Sequence, residues 1–220
     1  MIRSKLAALA LAALSAFALG GCNLVMSSQP VFDASDAAGA PGFKPGIWAS
    51  PDQGCSFDET KPAAEWPACA SGAVIKGDKA WAVGHPEKAS PFILAAGDPR
   101  VMQAMADLSS MADSNVTVSE KGPLYLFIAV KPLAKDGSGQ ITRAEAWFIQ
   151  CGPPPPKPKE GSPEANDPKA FMTKQPLPGM VMDNGECSPK DKAAVRNAAA
   201  ASRAWSDQLM QMHWVRDGES

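Results

Sequence analysis

Leu124-Tyr125-Leu126-Phe127-Ile128-Ala129-Val130 is the stretch on which the fold turns. In an extended chain Leu124, Leu126, Ile128 and Val130 fall on one side and Tyr125, Phe127 and Ala129 on the other, so both faces need cover. The run predicts a central strand with a helix or a second sheet behind it. Downstream, Lys135-Asp136-Gly137-Ser138-Gly139-Gln140 reads as a turn and residues 141–151 as the antiparallel neighbour, most clearly apolar over 146–149. Upstream, Ala73-Val74-Ile75 and Ala80-Trp81-Ala82-Val83 read as short strands joined through Gly77-Asp78, with glycine as the first central residue of a type II′ turn.

Two helices are expected. Asp98-Pro99 supplies a cap and a first-turn proline, and Val101, Met105, Leu108 and Met111 or Ala112 follow at helical spacing, ending near Asp113. Ser188-Pro189-Lys190-Asp191 supplies a second start, with Ser188 as the cap and Asp191 closing a capping box. Val195, Ala198, Ser202, Trp205, Leu209 and Met212 would form its apolar face. Residues 213–217 read as a short strand. The expected fold class is α+β: a single disulfide-stabilised domain with a small antiparallel sheet and one or two packed helices.

The chain has 220 residues, 45% apolar and 20% charged, which suits one domain of ordinary size. Lys and Arg number 21 against 23 Asp and Glu, a formal charge of −2, so composition points away from nucleic acid as a partner. At the amino end Arg3 and Lys5 precede residues 6–19, in which Ser15 is the only polar side chain. A charged head followed by a short apolar run is the pattern of an export signal, and it is too short to cross a bilayer comfortably.

Leu19-Gly20-Gly21-Cys22 resembles the lipobox of bacterial lipoproteins. The resemblance covers residues 1–22 only and implies removal of residues 1–21, with acylation of Cys22 as the membrane anchor. Asn23 follows the cysteine where an aspartate would imply inner-membrane retention. By the same resemblance, the place is then the outer membrane, facing the periplasm. Residues 22–46, with Pro30, Gly39, Pro41, Gly42, Pro45 and Gly46 among short polar residues and alanines, read as the lipidated amino terminus and a flexible tether. Residues 47–220 would form the α+β domain, containing a Pro-rich loop at 152–168 whose seven prolines favour extended polyproline II.

With Cys22 assigned to lipid, Cys55, Cys69, Cys151 and Cys187 remain, an even number in an exported chain, which reads as two disulfides. Three connectivities are open. Pairing neighbours, Cys55 with Cys69 and Cys151 with Cys187, costs least chain entropy and is the expected arrangement. Structural zinc is disfavoured by the lack of closely spaced cysteine pairs.

Other candidate sites have a plainer reading beside the functional one. Asp136, Ser138, Gly139, Ile141 and Glu145 match much of a calcium-binding EF-hand loop, but Ala134 occupies the first ligand position, so the segment reads as a hairpin turn. Met180, Met182, Met210, Met212 and His213 have donor types suited to Cu(I), with Met210, Met212 and His213 as the metal candidates, yet methionine is more often a core filler. His85, in Gly84-His85-Pro86-Glu87, and His213 lack a companion nucleophile elbow, phosphate loop or HExxH helix, and no cofactor is expected. Arg196 and Arg203 read as a solvated helix face, with Arg203 able to pair with Asp207.

The leading functional expectation is a non-catalytic, lipid-anchored envelope module that binds a protein or a cell-wall polymer. The rivals are a small-ligand or copper-binding lipoprotein and an enzyme with a dispersed site. An apolar pocket beside the sheet would favour the ligand binder, and an exposed apolar patch on a closed core the protein partner.

Overall fold

The computed structural model describes residues 23–83, 88–106, 123–156, 158–159, 161–183, 185–206 and 209–218. Among these, nine strands join in one antiparallel sheet: β1 (Met26–Ser27), β2 (Gly46–Pro51), β3 (Ala70–Lys76), β4 (Lys79–Ala82), β5 (Ala89–Ala95), β6 (Arg100–Ala106), β7 (Leu124–Lys135), β8 (Ile141–Phe148) and β11 (Met210–Arg216). β2 to β8 follow one another as a meander. β11 then inserts between β8 and β2 while β7 pairs with β8, so the sheet closes on itself and β1 lies against β7 as the ninth strand. Besides five short 3-10 turns, the other elements among the described residues are the hairpin β9 (Met180–Asp183) and β10 (Glu186–Pro189) and one α-helix, α1 (Lys192–Ser202).

This closed barrel corrects the expected small sheet with one or two helices. The error lies mainly in β6. Met, Gln and Ala favour helix, and Val101, Met105 and Leu108 satisfy its spacing, so the local sequence of residues 100–106 does not announce a strand. Val101 and Gln103 face outward, Met102 and Ala104 inward, and pairing to β5 and β7 on both edges decides the matter. The part of the predicted helix beyond residue 106 lies outside the described residues. The second helix starts three residues later than expected, because Ser188 and Pro189 belong to β10 and Asp191 is the cap, its carboxylate accepting from the Ala194 N–H at 2.8 Å. It also ends earlier, at Ser202. Met210, Met212 and Trp214 alternate inward on β11, leaving Met212 on the barrel instead of the helix.

Strict alternation gives the barrel two apolar faces. Inside, Trp48, Ile75, Phe92, Leu94, Val130, Ala144 and Ala146 form one cluster. Outside, Val101, Phe127, Ala129 and Trp147 meet Ala194, Val195, Ala198 and Ala199 of α1 in a second. The central strand read from residues 124–130 has both faces covered as its sequence requires, one by the opposite barrel wall and one by α1. The small alanine face lets α1 approach closely enough for the Trp147 indole N–H to donate to the Ala199 carbonyl at 2.9 Å.

Residues 23–46 are no loose tether. Asn23, Val25, Phe32 and Phe43 are 4%, 1%, 1% and 5% exposed. The buried Gln103 amide binds this segment to the outer wall: its carbonyl accepts from the Val31 and Phe32 N–H groups at 2.7 and 2.9 Å, and its NH2 donates to the Phe32 carbonyl at 3.0 Å. Composition misread the segment because its few large apolar residues are spaced to reach separate pockets.

Both disulfides are formed, Cys55–Cys69 and Cys151–Cys187. The first closes the excursion between β2 and β3, whose Trp66 packs on the outer face of Gly72. The second joins the chain leaving β8 to β10 and is buried in the α1 layer.

Candidate functional site

The barrel lumen is built from every strand of the ring. Cross-strand register places Trp48 opposite Trp214, Ile75 opposite Ala80, Phe92 opposite Ala104, Leu94 and Ile128 on either side of Met102, and Ala146 between Val130 and Met210. The alanines at 80, 104, 144 and 146 keep parts of the wall thin, and Met102, Met210 and Met212 line it with flexible thioethers.

One end is shut. The segment preceding β2 crosses beneath the lumen: Ile141 N–H donates to the Gly42 carbonyl and Lys44 N–H to the Ile141 carbonyl, both at 2.9 Å. The indole N–H groups of Trp48 and Trp214 donate to the Lys44 and Pro45 carbonyls at 2.8 and 2.9 Å. Phe43 stands edge-on to Trp48 and Phe92, with centroids at 5.1 and 6.0 Å. Gly46 has no room for a side chain, since a Cβ would lie 2.3 Å from the Arg216 carbonyl oxygen. Arg100, opposite Val130 and buried, donates to the Pro41 carbonyl, and burial pushes its guanidinium pKa down.

The other end differs. Met102, Ala104, Ile128, Met210 and Met212 face the lumen there and remain partly accessible. β2, β4, β6 and β8 end here, and β3, β5, β7 and β11 begin here. The lumen is thus apolar through its middle, with Arg100 at the floor and Ser50, Ser71 and Ser90 on the inward register toward the mouth.

The residues singled out by sequence are distributed otherwise. Cys22 and His85 lie outside the described residues. Met180 and Met182 belong to the α1 layer whereas Met210 and Met212 line the lumen, so the methionines are not gathered round His213. His213 points outward and its Nε2 sits 2.8 Å from Glu59 Oε1; with Arg216, which donates to the Glu59 and Lys61 carbonyls, it holds the Cys55–Cys69 loop against β11. Among the described residues, no group of three or more His, Cys, Asp and Glu is placed to hold a metal ion. Asp136 spends its carboxylate inside the turn, accepting from the Ser138 N–H and hydroxyl and the Gln140 N–H at 2.9, 2.7 and 3.0 Å.

Both arginines of the expected solvated helix face are engaged, Arg203 while still exposed and Arg196 half-buried. Arg203 Nε donates to Glu145 Oε1 at 2.7 Å, and Gln211 donates to the other carboxylate oxygen at 3.0 Å. The Arg203 guanidinium holds the Glu145 carboxyl below its usual range, against the opposing effect of burial. Arg196 donates to the Ala96 carbonyl and covers the Phe32 ring at 5.2 Å. Lys192 bridges Asp33 and Asp36 at 3.1 and 2.7 Å, and the Ser35 hydroxyl followed by Lys192 lowers Asp33 to about 2. These charges fasten the amino-terminal segment and α1 to the barrel.

No protein-family model, curated protein or solved structure matches the chain. The lumen residues escaped the sequence reading. Their one sequence signal was the period of two in Met210-Gln211-Met212-His213-Trp214, set aside for a helical period that included Met212.

Proposed function

We propose that this chain is a lipid-anchored protein of the bacterial envelope, held through Cys22 at the outer membrane facing the periplasm, that binds a small apolar molecule in the barrel lumen. It acts by binding, without catalysis. One observation carries the ligand reading: the middle of the lumen wall is apolar, and Met102, Ala104, Ile128, Met210 and Met212, which line it toward the mouth, are partly accessible. A ring of eight strands has an interior just wide enough to be filled by side chains or to hold one small ligand, and thin alanine walls beside adaptable methionines favour the second. Among the described residues the exposed large apolar side chains Met105, Leu133, Val181 and Leu209 belong to four different elements or their flanks, β6, β7, β9 and the approach to β11, which lends the protein-partner reading little support.

The test is titration of the full-length protein with an environment-sensitive apolar dye, alongside native mass spectrometry of material taken from envelopes. Saturable 1:1 binding, weakened tenfold or more by Ala104→Trp and unaffected by the surface change Leu133→Ala, is the expected result. No saturable binding, or equal binding by the Ala104→Trp variant with its barrel intact by circular dichroism, removes the proposal.

A further inference from the structure

We infer that the domain lies directly against the lipid surface, with the face formed around Gly152 and residues 173–176 turned toward the headgroups. This rests on the acylation of Cys22 proposed above and concerns what that anchor does to the rest of the molecule.

The observation is the fate of Asn23, the residue next to the anchor. Its side chain is fully employed: Nδ2 donates to the Gly152 carbonyl at 3.0 Å and to Gln150 Oε1 at 3.2 Å, while Oδ1 accepts from the Thr173 N–H at 3.3 Å. Its backbone carbonyl accepts from the Cys151 N–H at 2.7 Å, and two residues on Val25 N–H donates to the Ile149 carbonyl at 2.9 Å. Cys151 is in turn bonded to Cys187 beneath α1. The chain is therefore immobilised at its first residue after the cysteine.

Covalent geometry then sets the reach. A flexible segment of 24 residues would have a root-mean-square span of about 27 Å, enough to lift the domain clear of the membrane. With Asn23 clamped, the slack is one peptide unit, about 3.8 Å between Cα atoms. An acylated Cys22 consequently brings the surface around Asn23 down to the headgroups and fixes which side of the domain faces them. Gly152 fits tightly there, since a Cβ would lie 2.3 Å from the Gln175 carbonyl oxygen, so this face is well packed. Lys174, Gln175 and Pro176 are exposed on it, Lys174 offering a cation to anionic headgroups. β3 and β4 lie on the opposite side of the ring from β7 and would point away from the bilayer.

The experiment uses full-length protein purified from membranes and reconstituted in phosphatidylethanolamine/phosphatidylglycerol vesicles carrying a headgroup quencher. A dye on Lys174→Cys should be quenched several-fold more than one on Lys76→Cys, and a flexible Gly/Ser insert between Cys22 and Asn23 should abolish the difference. Lysine footprinting of the unaltered protein supplies a measurement free of new cysteines: Lys174 should be protected on vesicles and Lys76 not. Acyl mass on Cys22 with equal labelling of Lys174 and Lys76, or a difference indifferent to the insert, overturns the inference while leaving the anchor intact. Absence of acyl mass on Cys22 overturns the anchor itself, and the inference with it.

Discussion

The barrel wears two outer covers, each closed by a disulfide, and they are built on different principles. The cover closed by Cys151–Cys187 is a second hydrophobic core: Val195, Ala198 and Ala199 of α1 and both cysteines are 0–1% exposed against Phe127, Ala129 and Trp147. The Cys55–Cys69 cover is a surface clasp, in which both cysteines are only partly buried and polar bonds from His213 and Arg216 hold it to β11. The same covalent device thus serves burial in one place and mere attachment in the other. The difference teaches that a disulfide's contribution depends on what it keeps dry.

The largest expected effect comes from removing the buried bond. Loop entropy assigns about 4 kcal/mol to the 36-residue separation of Cys151–Cys187 and about 3 kcal/mol to the 14-residue separation of Cys55–Cys69. Cys151→Ala with Cys187→Ala adds a cavity to its loss, so its urea midpoint should fall well below that of Cys55→Ala with Cys69→Ala. Equal midpoints would erase the distinction between the covers. Next is Ala198→Leu, which overpacks the α1 face and should cost about 1–3 kcal/mol in the same assay. Trp66→Ala, in the clasp, removes a half-buried ring stacked edge-on to Phe57 and should cost about 1 kcal/mol, roughly half of what full burial of a large apolar side chain contributes. Its near-ultraviolet spectrum should change more than its midpoint.

The smallest effect is the pH dependence carried by Glu145, beside Arg203. Arg203 favours ionised Glu145 in the folded state, so its folded pKa lies below the unfolded one. The associated stability is complete above the ordinary carboxylate range and is lost as pH falls through the depressed value. Glu145→Gln should therefore be less stable than the parent at pH 7 and should converge with it in strong acid. Urea midpoints measured from pH 7 to pH 2 check this, and a constant gap across the range would contradict the assignment.

Much of the meander was legible because its strands announce themselves locally. The turn at Gly77-Asp78, with Gly77 at φ +63°, and the turn at Asp136 to Gln140, with Gly139 at φ +83°, carry the residues such turns demand. The pairing of β7 with β8 followed from two adjacent apolar runs. Closure was not legible, because β11 is parted from β8 by an excursion holding the Pro-rich segment, a hairpin and α1, and only long-range pairing seats it between β8 and β2. Where Ala, Met and Gln favour helix locally, as in β6, the neighbours on both edges decide, and neighbours are absent from a one-dimensional reading. The amino-terminal segment was misjudged for a related reason: composition averages over residues, whereas Phe32 and Phe43 act singly in pockets made by distant strands.

The seating of β11 bears on the order of assembly. Until Met210–Arg216 arrive, β2 and β8 are open edges with unpaired N–H and C=O groups, ready to template pairing with another chain. Docking of this one strand therefore removes both edges at once, which makes the carboxy-terminal segment the part of the chain that seals the ring.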